Sequence, residues 1–385
     1  MVTQYYNQHP IVAGAAPQKT AKLDADNLFV NNVRFWSMVA IIAVHSLVIE
    51  WETSPEPGLA RNLQLILLQI LKFGTIGFYL SAGFLLGERL PQYSGPEYFL
   101  RRLKRVGTPW ALWATLFALL PFTKEVLLYR AVLITGSSFW SRLGHRAIDV
   151  LFYSNYWFVP NFLIALGVLL LFKRYLDRLW FGGFLLCLSL FYGVNIYHHW
   201  VPSRHTAAIF GFVFYLWLGN WVSRNFQVFF PILQRVRTWP LLVAIAATGG
   251  IAIVEAYRLN SIDPGDMMNT LRISNQVFSL LVVFAFLKIP HATWPRFINV
   301  RATTFGLYLI HPTLGLLLHA LVFAWGARLF KEQWTSLVGN IDQTMTHPLT
   351  SLSIWAVTFM AYYGGSLALT QTLARRPGLK WTVGQ

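Results

Sequence analysis

The apolar residues of this chain are gathered into blocks of about twenty, the length at which a helix rising 1.5 Å per residue crosses ~30 Å of hydrocarbon. In lipid the backbone N–H and C=O groups find no water, so blocks of this length must close their hydrogen bonds internally as helices. The alternation of a β-barrel is missing. Blocks fall near residues 33–51, 63–87, 106–122, 152–172, 179–197, 206–223, 240–257, 271–288, 303–325 and 350–370. They predict an all-α, polytopic transmembrane helical bundle of about ten spans.

Composition points the same way: 55% of residues are hydrophobic and 12% charged, against about 25% charged in a soluble domain. Residues 1–27 are polar, so no secretory signal peptide is expected and the first span stays in the chain. With the N-terminus placed in the cytoplasm, 20 of the 31 Lys and Arg fall on cytoplasmic segments and 10 on outer ones, with Lys72 inside a block. That asymmetry sets the orientation by the positive-inside rule and predicts that both ends are cytoplasmic. The expected layout is a tail over 1–32, a transmembrane domain over 33–370 and a tail over 371–385, in the plasma membrane, or the inner membrane of a bacterium. The net charge of +16 thereby has a membrane explanation, and no nucleic-acid partner is expected. The single Cys187 excludes a disulfide within the chain. Oligomeric state is not readable.

Two clusters carry chemistry. Arg34 and His45 are eleven residues apart in the first span, which returns to nearly the same helix face about 16 Å higher. Ionisable groups at that depth are costly and usually functional, and imidazole exchanges protons near neutral pH; a packing hydrogen bond to a neighbouring helix is the other reading of His45. Glu52 lies seven residues further along the same face if the helix continues. Ahead of span three, Arg102 and Arg105 at i and i+3 project together toward the interface, where two guanidinium forks suit phosphates and basic turns also serve topology alone.

The ordered set of Arg34 and His45, Arg102-Leu103-Lys104-Arg105 leading to Pro109, Tyr156-Trp157-Phe158-Val159-Pro160, and Gly306-Leu307-Tyr308-Leu309-Ile310-His311-Pro312 resembles the acyltransferase type 3 family of membrane-bound acyltransferases over roughly residues 30–325. The resemblance implies transfer of an acyl group, often acetyl, from cytoplasmic acyl-CoA to a hydroxyl on a glycan, lipid or small molecule. It maps the family's essential histidine to His45, its companion arginine to Arg34 and its paired arginines to Arg102 and Arg105. The family's Phe-Phe-x-x-Ser-Gly-Phe is altered here to Phe78-Tyr79-Leu80-Ser81-Ala82-Gly83-Phe84, with alanine at the serine position.

Tyr308 and His311, at i and i+3, either line the donor path or serve a kink at Pro312. Trp157 and Phe158 either anchor at the outer interface or wall the acceptor site. Lys72 either snorkels at the outer boundary or lies deep and needs a partner. His198 and His199 are adjacent and diverge on a helix, so no metal is expected. A transporter or flippase of a lipid-linked saccharide is the competing function, but the two matched halves it would show are not visible.

Overall fold

The computed structural model describes residues 17–47, 58–129, 137–263, 265–289, 291–339 and 348–385, and among these every regular element is a helix. In chain order they are α1 (Pro17–His45), α2 (Leu59–Leu71), α3 (Phe73–Arg89), α4 (Gly95–Arg102), α5 (Thr108–Tyr129), α6 (Ser137–Phe152) and α7 (Phe158–Leu171). There follow α8 (Leu179–His198), α9 (Val213–Arg224), α10 (Phe226–Arg235), α11 (Thr238–Asn260), α12 (Ile273–Phe286), α13 (Val300–Gly339) and α14 (Pro348–Ala374).

The surface is inverted relative to a soluble fold. Leu171, Trp239, Ile251, Val357 and Met360 are each more than half exposed, whereas Asn32, Gln64, Gln69, Asn161, Asn220, Asn275 and Gln276 are buried. Exposed apolar faces of that extent need lipid, and polar side chains bond across helices in its absence of water. Tyr79 Oη donates to Asn161 Oδ1 at 3.0 Å, and Tyr215 Oη donates to Gln276 Oε1 at 2.7 Å. Five segments among the described residues are long and apolar enough to cross a membrane, six if the pair Ser141–Phe152 and Asn155–Leu171, bent by 62°, is one span. This is an integral membrane protein.

Three expected blocks are built differently from continuous helices. The second is interrupted at Lys72 between α2 and α3, where the Lys72 ammonium donates to the Met268 carbonyl at 2.6 Å, although the two together still form one span-length segment, Leu59–Gln92. The sixth and eighth shrink to α9 and α12, of 12 and 14 residues, roughly 18 and 21 Å at 1.5 Å per residue. Residues 206–212 of the sixth block run as turns, and the loop before α9 is tied to the turn before α12 by Asn269 Nδ2 donating to Ser203 O at 2.7 Å. Irregular backbone at such depth is tolerated where protein or a cavity surrounds it. The first block also shifts: α1 begins at Pro17 and ends at His45, and Glu52 lies outside the described residues.

Helix α3 is the hub. Against α9 the contact is reciprocal: a Cβ on Gly83 would fall inside the Leu216 carbonyl, and one on Gly219 inside the Leu80 carbonyl. Against α1, a Cβ on Gly74 would meet Ser37 O at 2.8 Å. Gly83 thus admits the backbone of α9, while Ser81 Oγ, displaced from the family's serine position, donates to Phe78 O at 3.0 Å. Gly83→Val should lower stability by about 1–3 kcal/mol or more, read as an earlier midpoint when the detergent-solubilised protein is heated and the surviving monodisperse fraction measured. Gly183, whose Cβ would meet nothing within 4 Å, is the control; equal behaviour of Gly83→Val and Gly183→Ala would remove the close-contact account.

Candidate active site

With α1 pressed against α3, the Arg34–His45 stripe faces a cavity of about 300 Å³ bounded by α1, α3, α7 and α13. Arg34, His45, Arg102, Arg105 and Tyr308 all line it, so residues scattered over some 270 positions of sequence meet around one space. Trp157 and Phe158 form part of its wall. His311 does not: it is fully buried behind His45, and it lines a second cavity of about 250 Å³ with His45, Asn155, Phe117, His319 and Tyr362. His45 and Asn155 belong to both spaces.

One end of the larger cavity is a ring of guanidinium groups: Arg34, Arg89, Arg102, Arg105 and Arg301. In the basic run ahead of α5, Arg101 is engaged by Glu97 at 3.2 Å and by the Tyr93 ring. Arg102 Nε instead donates to Tyr98 Oη at 3.0 Å and Arg105 Nε to Gly384 O at 3.4 Å, and both residues line the cavity. Burial, and then the like charges of Arg102, Arg89 and Arg301, push the Arg105 guanidinium below its ordinary value. The described lining holds no Asp or Glu, so the ring is complementary to a polyanion.

The last residues of the chain complete this end. Trp113 Nε1 donates to Thr382 O at 2.9 Å and Gln385 Nε2 to Ala302 O at 2.7 Å. Gly384 takes φ 77° against the Phe305 ring and joins the cavity wall. The stretch 371–385, expected as a tail, is α14 to Ala374 followed by a segment packed on α5 and α13.

At His45 the hydrogen bonds run in one direction. His311 Nδ1 lies 3.0 Å from Leu307 O, and a carbonyl only accepts, so Nδ1 carries the proton. A neutral His311 then presents a bare Nε2, 3.0 Å from His45 Nδ1. His45 must donate there, which leaves His45 Nε2 as a free lone pair on a residue of the cavity wall. The two rings are parallel within 3°. Of the two readings of His45, the structure shows the bond to a neighbouring helix, and that bond fixes the tautomer.

Sequence reasoning missed Arg89, Arg301, His205 and Asn155, and left Lys72 unassigned, although all five line the cavity. Helical spacing held part of the signal: Arg301, Phe305 and Tyr308 follow i, i+4, i+7, as do Ala82, Leu85 and Arg89 at three- and four-residue steps. His205 and Thr270 come from turns just outside the expected blocks, which helical periodicity does not reach.

Fold and cavity define a multispan membrane protein in which a cluster of arginines and a histidine line one cavity. A family model described as an acyltransferase domain matches residues 27–374, and the chain belongs to that family, the membrane acyltransferases of type 3. No curated protein and no solved structure gave a significant match.

The uncompensated arginines give an expectation independent of any reaction. Arg102→Ala/Arg105→Ala should leave the melting temperature of the ligand-free protein unchanged or raised, because like-charge repulsion is relieved. Stabilisation by millimolar inorganic pyrophosphate should be lost in the same variant. Pyrophosphate stabilising both proteins equally would place the anion elsewhere.

Proposed function

We propose that this protein transfers an acyl group, acetyl in the first instance, from cytoplasmic acyl-CoA to a hydroxyl of a glycan, lipid or small-molecule acceptor, with His45 as general base. The observation that carries the reading is that Arg34, His45, Arg102 and Arg105, chosen from sequence alone, line one cavity. The accompanying topology is about ten spans with both ends cytoplasmic, in the plasma membrane or a bacterial inner membrane, supported by the charge asymmetry along the chain.

On this reading Arg102 and Arg105, with Arg89 and Arg301 beside them, bind the phosphates of the coenzyme at the inner face. Arg34 continues the positive path inward, and the pantetheine arm, long and thin, follows the cavity about 16 Å to His45. An alcohol is a weak nucleophile at neutral pH. His45 Nε2 takes its proton as the oxygen attacks the thioester carbonyl; the C–O bond forms, the C–S bond breaks, and the imidazolium returns the proton to the departing thiolate. Such a base contributes roughly 10²- to 10⁴-fold. His311 is a positioning residue that holds the His45 ring and tautomer. Tyr308, on the cavity wall with its hydroxyl donating to Asn155 O at 3.1 Å, borders the thioester end. The acceptor reaches His45 from the opposite side, where the second cavity also opens on that ring.

The flippase reading predicts substrate movement without covalent change. Purified protein given radiolabelled acetyl-CoA separates the two, since only the acyltransferase consumes the thioester. His45→Ala should lower transfer by about 10²-fold or more with donor binding retained, and full transfer by a folded His45→Ala protein would falsify the mechanism. Arg102→Ala/Arg105→Ala should raise KM for acyl-CoA with a smaller effect on kcat. His311→Ala should lower kcat by about 10²-fold through a misplaced base, whereas His311→Gln, whose side-chain oxygen accepts the same bond, should retain more. Mass spectrometry of glycans and lipids from cells with and without the chain identifies the acceptor by the added acyl mass.

A further inference from the structure

The ends of α8 and α11 bring together three potential metal ligands that sequence spacing gave no reason to combine. His199 follows the last residue of α8 in a left-handed conformation, φ 52°, which turns the chain back on itself. Asn195 holds that turn, its Nδ2 donating to Val201 O at 2.8 Å and its Oδ1 accepting from Val201 N at 3.0 Å. Beyond α11, the turn that carries Asp263 and Asp266 lies beside it. One donor atom from each of His199, Asp263 and Asp266 lies within 4.8 Å of the other two.

Asp266 is the telling member. Its side chain is 1% exposed, and its Oδ1 accepts a long 3.4 Å bond from Asn269 Nδ2. Its Oδ2 has no hydrogen-bond partner among the described residues and faces His199 Nδ1 at 3.8 Å, too far for a hydrogen bond. A buried carboxylate oxygen left in this state is heavily penalised unless a cation meets it. We propose that His199, Asp263 and Asp266 bind a divalent first-row metal ion, of the Zn²⁺ or Mn²⁺ kind, which the buried Asp266 oxygen faces.

Imidazole with two carboxylates suits these ions better than Mg²⁺ or Ca²⁺, which favour all-oxygen shells. Bonds of about 2.1 Å in tetrahedral geometry set ligand atoms about 3.4 Å apart, so the cluster closes by rotation of side chains at the protein surface. Three protein ligands leave positions for water. The ion would join the α8–α9 turn to the α11–α12 turn. The second of these carries Met268, whose carbonyl receives Lys72, and Asn269, which bonds Ser203 O. The role is a clip on the cavity's outer wall, not a part in acyl transfer.

The full-length protein in detergent, stripped with chelator and then freed of it, is titrated with Zn²⁺ by calorimetry and with Mn²⁺ by electron paramagnetic resonance. One equivalent of Zn²⁺ should bind, reversibly to chelator, and raise the melting temperature. Asp266→Asn keeps the shape of the side chain and should weaken binding by at least about tenfold; His199→Ala, at an exposed position, should do the same without touching the core. Wild-type protein that binds no more Zn²⁺ than the Asp266→Asn variant overturns the site. If Asp266→Asn does not fold, His199→Ala decides alone: retained one-to-one binding overturns the proposal, and lost binding supports it. Neither outcome depends on whether the chain transfers an acyl group.

Discussion

Helices in lipid gain little from exchanging hydrocarbon for leucine, so what brings them together is close contact between small residues and bonds between polar ones. In this chain both act through α3. Its Gly74 admits the backbone of α1, and its Gly83 and the Gly219 of α9 admit one another's carbonyls. Those approaches fix where α1 stands, and hence where its Arg34–His45 stripe points. Were α3 held off by a single added side chain, the cavity's two principal walls would no longer share a register.

Arginine shows two fates in this fold. Arg272 is fully buried and fully engaged: Nη1 donates to Ala252 O at 2.8 Å, Nε to Asn269 O at 3.3 Å, the other terminal nitrogen to the Gln69 side chain, and Glu255 lies 3.7 Å away. It fastens α2, α11 and the turn before α12, and nothing is left over for a ligand. Arg34, Arg102 and Arg105 stand around a space whose described lining holds no carboxylate. Charges crowded without counter-charge cost stability, and a fold retains them where an anion is to be met. The contrast separates a structural cation from an available one by partners and by burial, since Arg34 and Arg102 are only partly buried and Arg105 is exposed.

The helical class and the four principal residues were legible in sequence because both rest on periodicity: blocks of about twenty for the spans, eleven residues from Arg34 to His45, three from Arg102 to Arg105. What escaped periodicity escaped the reading. Residues 206–212 are as apolar as neighbouring helix but run as turns, beside a turn before α12 to which Asn269 bonds them through Ser203, a contact that only tertiary structure creates. His205, Thr270 and the Lys72–Met268 bond follow from them. For Tyr308 and His311 spacing left a donor-path and a structural reading open, because it could not tell the face that lines a cavity from the side that backs onto another helix; the structure puts Tyr308 on the larger cavity and His311 against His45.

The His45–His311 bond is the step at which fold becomes chemistry. A histidine between two cavities would ordinarily exchange tautomers and present either nitrogen to either side. Here the Leu307 carbonyl, one helical turn before His311, fixes the proton on His311 Nδ1, and that choice passes through Nε2 to His45. A backbone carbonyl of α13 thus decides which nitrogen of a side chain on α1 keeps its lone pair. On the proposed reading the consequence is directional: a thioester arriving past the arginines and a hydroxyl arriving from the other side meet a base with one basic face, and that face is set before either substrate binds. A carrier that moved its substrate past His45 would have no use for a ring held in a single tautomer, whereas a catalyst of proton transfer depends on it.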